Sequence, residues 1–116
     1  MSAPDRLARV NEILKREIAD SLERLGGLND CLISVTAVKT SSDLRNATVL
    51  VSVLGGDDDT KEKVVKFLYD NRPVLQGAVA RNIVLKFTPR LSFRVVKNIE
   101  QGDNVLALLE KLDHDA

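Results

Sequence analysis

Hydrophobic residues recur along the chain at helical spacing, then at strand spacing, then at helical spacing again. Leu7, Val10, Leu14, Ile18, Leu22 and Leu25 follow steps of three and four, one face of an amphipathic helix from about Arg6 to Leu25. Pro4-Asp5 suits its start, and Gly26-Gly27 its end, where glycine tolerates the left-handed conformation that closes a last turn. From Leu32 to Lys39 the period becomes two. Ile33, Val35 and Ala37 point one way and Ser34 and Thr36 the other, as in a half-buried strand. After the polar turn Thr40-Ser41-Ser42-Asp43, Ala47, Val49, Val51 and Val53 alternate with Thr48, Leu50 and Ser52. The short link predicts an antiparallel hairpin.

Gly55-Gly56 and Asp57-Asp58-Asp59 form a loop, and Asp59 or Thr60 is expected to cap the next helix, which buries Val64, Phe67 and Leu68. Pro73 interrupts a helical pattern that resumes with Val74, Leu75, Ala78 and Val79. Proline is excluded from a helix interior but favoured at a first position, so Asn71-Arg72-Pro73 reads as a kink between two helices. A third strand is expected from Val84 to Val96, with Leu91, Phe93 and Val95 inward and Pro89 at a bend on a sheet edge. After Gly102, Asp103 caps a closing helix that buries Val105, Leu108, Leu109 and Leu112. The order is helix, strand, strand, helix, kink, helix, strand, helix. A two-helix crossover makes the second and third strands parallel, giving an α+β fold: a three-stranded mixed sheet with helices on one face. No repeat or linker divides it. Residues 1–116 read as one domain, with about 1–5 and 113–116 as flexible ends.

Composition agrees with an ordinary core, at 44% hydrophobic in 116 residues. The single Cys31 cannot form an internal disulfide, no basic n-region with an apolar stretch marks a signal peptide, and no apolar run suits a membrane helix. A cytoplasmic protein is the expectation. Seventeen basic and seventeen acidic residues cancel, which argues against a protein that coats nucleic acid by bulk charge. Their distribution changes the picture. Between Asn71 and Ile99 there is no Asp or Glu, while Arg72, Arg81, Lys86, Arg90, Arg94 and Lys97 all fall there. Chance and a few solvated side chains are the bland account of such a stretch, and a weaker one than a phosphate-binding face.

Candidate chemistry is sparse. His114, the one histidine, sits in a polar tail, and Cys31 lacks a histidine partner, so a buried small residue is the better reading of it. Asp57–Asp59 lacks the spacing and closing carboxylate of a calcium loop, and no glycine-rich phosphate fingerprint is present. No enzyme, metal site or cofactor is expected. Phe67, Phe87 and Phe93 fit core or sheet positions, which leaves Tyr69 as the one candidate exposed ring. A stacking platform needs several exposed rings, so any RNA contact is expected to use phosphate and shape.

Several runs resemble the ribosome-binding factor A family, bacterial small-subunit assembly factors with a type II KH-like domain. These are Arg9–Ile18, Ile33–Val38, Ser42–Gly55, Leu85–Phe93 and Gly102–Leu112, collinear over nearly the whole chain. The family has no GxxG loop, and neither has this chain. Where its members usually carry Ala-x-Gly at the kink, this chain has Asn71-Arg72-Pro73, and Arg90 stands where an acidic residue is commoner. The resemblance implies binding to the small ribosomal subunit or its precursor during late rRNA folding and 5′-end maturation, with a role in cold growth. On that basis Arg72, Arg81 and Lys86 are expected to grip rRNA phosphates, helped by Arg45 and by Arg6, Arg9 and Arg16. Asn71 lies at the kink, and Gln76, Gly77 and Ala80 offer a narrow face beside Arg81. No small-molecule substrate or membrane partner is implied, and nothing calls for more than a monomer. A KH-like module for another RNA and a protein-interaction domain remain alternatives.

Overall fold

A computed structural model describes residues 3–28, 31–57 and 59–96. Over them the chain forms α1 (Ala3–Leu25), β1 (Cys31–Thr40), β2 (Asn46–Gly55), α2 (Thr60–Asp70), α3 (Arg72–Asn82) and β3 (Arg90–Val96). The helix expected after Gly102 and His114 lie outside the described residues. β2 is central, antiparallel to β1 and parallel to β3. The α2–α3 pair is the crossover that a parallel neighbour requires.

Leu14, Ile18 and Leu22 form the buried stripe of α1, as their spacing predicts. They meet Val64 and Leu68 of α2, Leu75 and Val79 of α3, and Val38, Val49, Val51, Leu91 and Phe93 of the sheet in one cluster. All three helices therefore share one face of the sheet. Full burial of each such side chain contributes roughly 1.5–3 kcal/mol. Leu50 is also fully buried, although its neighbours Val49 and Val51 face the helices. In register it lies between Ala37 of β1 and Arg94 of β3, and strict alternation overlooked its burial.

The structure departs from simple periodicity at several places. α1 begins at Ala3, so Pro4 stands in its first turn, where a missing N–H leaves no bond unmade. In β1 the register slips between Val35 and Ala37. The extra residue, Thr36, donates its hydroxyl to the Leu50 carbonyl at 3.0 Å. Ile33 and Val35 lie opposite Val53 and Val51, but Ala37 lies opposite Leu50, so it does not share their face. Val38 and Thr40 take the buried positions instead. A bulge reverses the side-chain parity beyond it. β3 starts at Arg90 rather than Val84, and Val84 is fully exposed. Val74 is also half exposed, leaving Leu75, Ala78 and Val79 as the buried face of α3.

The start of α2 is not closed by Asp59 or Thr60 in the expected manner. Asp59 makes no side-chain cap bond. Asp57 accepts from the Asp59 N–H at 3.0 Å and from the Thr60 hydroxyl at 3.2 Å, while the Thr60 hydroxyl accepts from the Asp57 N–H at 2.7 Å. These bonds, first the one from the Asp59 N–H, hold the Asp57 carboxyl below its ordinary 3.8. Gly56, at φ +83, lies so close to Thr60 that a Cβ would collide with it.

Candidate nucleic-acid interface

The kink between α2 and α3 is closed by Asn71. Its side-chain amide donates to the Phe67 carbonyl at 2.8 Å, and its backbone N–H donates to the same oxygen at 3.0 Å. Its own carbonyl accepts from the Leu75 N–H, so one residue ends α2 and opens α3. Pro73 sits in the first turn of α3, where its fixed φ suits the helix.

Two predicted contact residues, Arg72 at the kink and Gln76 beyond it, face β3. The Gln76 amide oxygen accepts from the Leu91 N–H at 2.6 Å, and its nitrogen donates to the Pro89 carbonyl at 3.0 Å. Arg72 donates to the Leu91 carbonyl at 3.4 Å and lies 5.6 Å from the centroid of the Tyr69 ring. Tyr69 itself accepts from the Phe93 N–H at 3.2 Å and meets the Phe93 ring edge-on at 5.1 Å. Leu91 and Phe93 point their peptide groups away from β2, so these side chains satisfy the outer edge of the strand. Tyr69, the ring expected to be exposed, is 40% exposed, with its hydroxyl and its contact to Phe93 engaged there.

A second group gathers where the β1–β2 turn approaches the chain before β3. Ser41 and Asn46 close the turn, with the Ser41 N–H donating to the Asn46 carbonyl at 2.8 Å. Asp43 accepts from the Ser41 hydroxyl at 2.6 Å and the Arg45 N–H at 3.0 Å. These bonds, the Ser41 one foremost, hold its carboxyl below the ordinary 3.8. Leu44 adopts φ 62, the left-handed region, at a cost of about 1 kcal/mol for a residue with a Cβ. The turn thereby directs Arg45 over the Phe87 ring, with its guanidinium carbon 5.0 Å from the centroid. Lys86 approaches the same ring at 5.6 Å. The Arg45 carbonyl also accepts from the Arg90 N–H at 2.8 Å, joining the turn to β3.

The remaining candidates are spread more widely. Arg81 is exposed on the outer side of α3, and a Cβ at Gly77 would stand 3.3 Å from its guanidinium. Gly77 thus leaves room for Arg81 to lie along the helix. Arg6, Arg9 and Arg16 are exposed on α1. At 100° per residue, Arg9 and Arg16 project opposite the Leu14–Ile18–Leu22 stripe, away from the sheet. Glu17 of α1 accepts from Asn82 at 3.1 Å and pairs with Arg24 at 3.5 Å, tying α1 to the end of α3. Periodicity missed Phe87 as a surface ring because it extended β3 back to Val84. Its setting between Lys86 and Arg90, just ahead of Pro89, was the available signal.

Other chemistry is not assembled. The described residues contain no group of three or more His, Cys, Asp or Glu able to hold a metal ion. A groove lined by Leu22, Gly26, Ile33, Val35 and Phe67 has Glu23 as its one charged wall residue among the described residues, which disfavours phosphate. Among the described residues no helix is long and apolar enough to cross a membrane.

A family model described as Ribosome-binding factor A matches residues 6–109. A ribosome-binding factor A from Rhodopseudomonas palustris is 39% identical over 109 residues, covering 90% of this chain and 77% of that protein. The crystal structure of ribosome-binding factor A from Thermus thermophilus superposes with a TM-score of 0.68 at 27% identity, over 77% of this chain and 94% of that one. A homology model of the Thermus thermophilus factor, fitted into a cryo-EM map of its complex with the 30S subunit, gives 0.60 at 26% identity. It covers 72% of this chain and 88% of that one.

Proposed function

Because the chain belongs to the ribosome-binding factor A family, we propose that it is a non-catalytic factor that binds the small ribosomal subunit or its precursor in the cytoplasm. There it assists late folding and 5′-end maturation of small-subunit rRNA as a monomer. Its loss is felt most in the cold, where misfolded rRNA escapes its traps slowly. The helix–strand order and the lack of a GxxG run support a type II KH-like reading of the domain.

One observation beyond family membership carries this reading. The acid-free stretch forms α3, the following loop and β3, and it leaves Arg81, Lys86, Arg90 and Arg94 exposed. The β1–β2 turn adds Arg45 beside it. Arg45, Arg81 and Lys86 are the principal phosphate contacts in this reading. Arg72, Asn71 and Gln76 shape the neighbouring surface while holding the kink and β3, and Gly77 lets the backbone of α3 approach RNA. Arg6, Arg9 and Arg16 form a second, more diffuse set on α1.

Sedimentation with isolated subunits across a salt series tests the proposal. The protein is expected to travel with small subunits and not with large ones. For an Arg81→Gln/Lys86→Gln variant the slope of log affinity against log salt should flatten by about 1.5, since each phosphate contact contributes roughly 0.7–0.9. Protein left at the top of the gradient at low salt would overturn the reading in favour of another RNA or a protein partner.

A further inference from the structure

We propose that Phe87, flanked by Arg45 and Lys86, is a stacking site for an unpaired nucleobase of the bound RNA. The inference rests on the rRNA-binding reading and adds to it a contact of a different kind from phosphate pairing.

Phe87 is 42% exposed although it is among the most hydrophobic residues of the chain. It belongs neither to a strand nor to the buried cluster. Two cations lie against the ring, the Arg45 guanidinium at 5.0 Å and the Lys86 ammonium at 5.6 Å, and these come from different segments of the chain. Backbone bonds hold the Arg45 side of the site. The Arg45 carbonyl holds the Arg90 N–H at 2.8 Å, and the Arg45 N–H is held by Asp43 at 3.0 Å. The left-handed conformation of Leu44 completes the turn that presents Arg45. Ordering the Arg45 backbone in this way before RNA arrives lowers the entropic cost of contact.

An unpaired base fits this chemistry better than a duplex does. An aromatic face and a guanidinium plane both accept a base by stacking, while the adjacent positive charges hold the phosphates on either side of it. Inside a duplex the base faces are covered by their neighbours and only the two end pairs are open, so a long duplex would leave the Phe87 ring without a partner at nearly all of its length. Asp43, the acid nearest in sequence to Arg45, has its carboxylate engaged by Ser41 and the Arg45 N–H.

The chain has no tryptophan, so Phe87→Trp places a background-free fluorescent reporter in the site. A single-stranded RNA oligomer is expected to quench its emission saturably, and a long RNA duplex, with few ends at equal phosphate concentration, is not. In parallel, Phe87→Leu and Phe87→Ala should both weaken single-strand binding by about ten-fold, as the loss of one stacked base predicts. Leucine keeps the site apolar but cannot stack. Wild-type affinity in Phe87→Leu would therefore overturn the proposal, as would equal quenching by duplex or no quenching at all. Subunit sedimentation separates this result from the broader reading. If wild-type protein travels with small subunits while the reporter stays silent, the stacking site fails and the assembly-factor reading stands. If single strands quench the reporter but the protein ignores small subunits, the site stands and the partner is another RNA.

Discussion

Thr40 ends β1 with its hydroxyl oxygen buried and without a hydrogen-bond partner among the described residues, while its backbone N–H donates to the Asn11 side chain of α1 at 3.0 Å. The residue is 1% exposed. A buried hydroxyl that gives up water and gains nothing is a net cost, and valine has nearly the same shape. Thr40→Val should therefore raise unfolding free energy by about 1 kcal/mol, seen as a higher urea midpoint at unchanged slope. The backbone bond to Asn11 does not depend on the side chain and should persist. A lower midpoint would show that the hydroxyl is paired in solution. The alternation of Leu32–Lys39 gave no hint of this, because the bulge at Thr36 is what turns Thr40 inward. Bulges arise from pairing geometry, and a strand's own residues carry little record of them.

At the scale of elements, β3 is an edge strand, and an open edge invites pairing with other chains. Here the edge is covered by side chains of the helices above it. Gln76 serves Pro89 and Leu91, Tyr69 serves Phe93, and Arg72 adds a longer bond to Leu91. The Gln76 amide has a donor and an acceptor at the spacing of adjacent peptide groups, so it acts as a short surrogate strand. Gln76→Ala leaves two part-buried backbone groups unpaired and should cost about 2 kcal/mol. Native-state hydrogen exchange would show faster exchange at the Leu91 amide than at the Val49 amide of β2. Uniform change across the sheet would mean that Gln76 contributes only to global stability. Pro73 and the split helical pattern made the α2–α3 break readable from the chain. The role of Gln76 was not readable, since it depends on where α3 lands against β3.

Across the whole molecule, cancelling charge hides an uneven surface. On α1, Glu12 and Asp20 accompany Arg9 and Arg16, whereas the basic residues of the α3–β3 side lie in the acid-free stretch. An RNA phosphate near α1 meets both signs, and at physiological salt charges more than about 8 Å away contribute little. Arg9→Gln/Arg16→Gln should thus flatten the salt dependence of small-subunit binding by less than half as much as Arg81→Gln/Lys86→Gln. An equal or larger effect would move the principal RNA face to α1.

What the chain determined by itself, over the described residues, is the order of elements from α1 to β3 and their pairing. Helical and strand periods, two glycine pairs and one proline are local signals, and local signals reflect backbone preferences that act within a few residues. The antiparallel hairpin and the parallel third strand followed from connection length, which is also written in the chain. Tertiary structure alone decided which face Ala37 takes, that β3 begins only at Arg90, and that Gln76 and Tyr69 serve a strand edge. It also decided that Phe87 stands at the surface between Lys86, its neighbour in the chain, and Arg45, which is far from it in sequence. Each of these depends on bringing distant segments to within hydrogen-bond or stacking distance, and such contacts exist only once the helices have settled on the sheet.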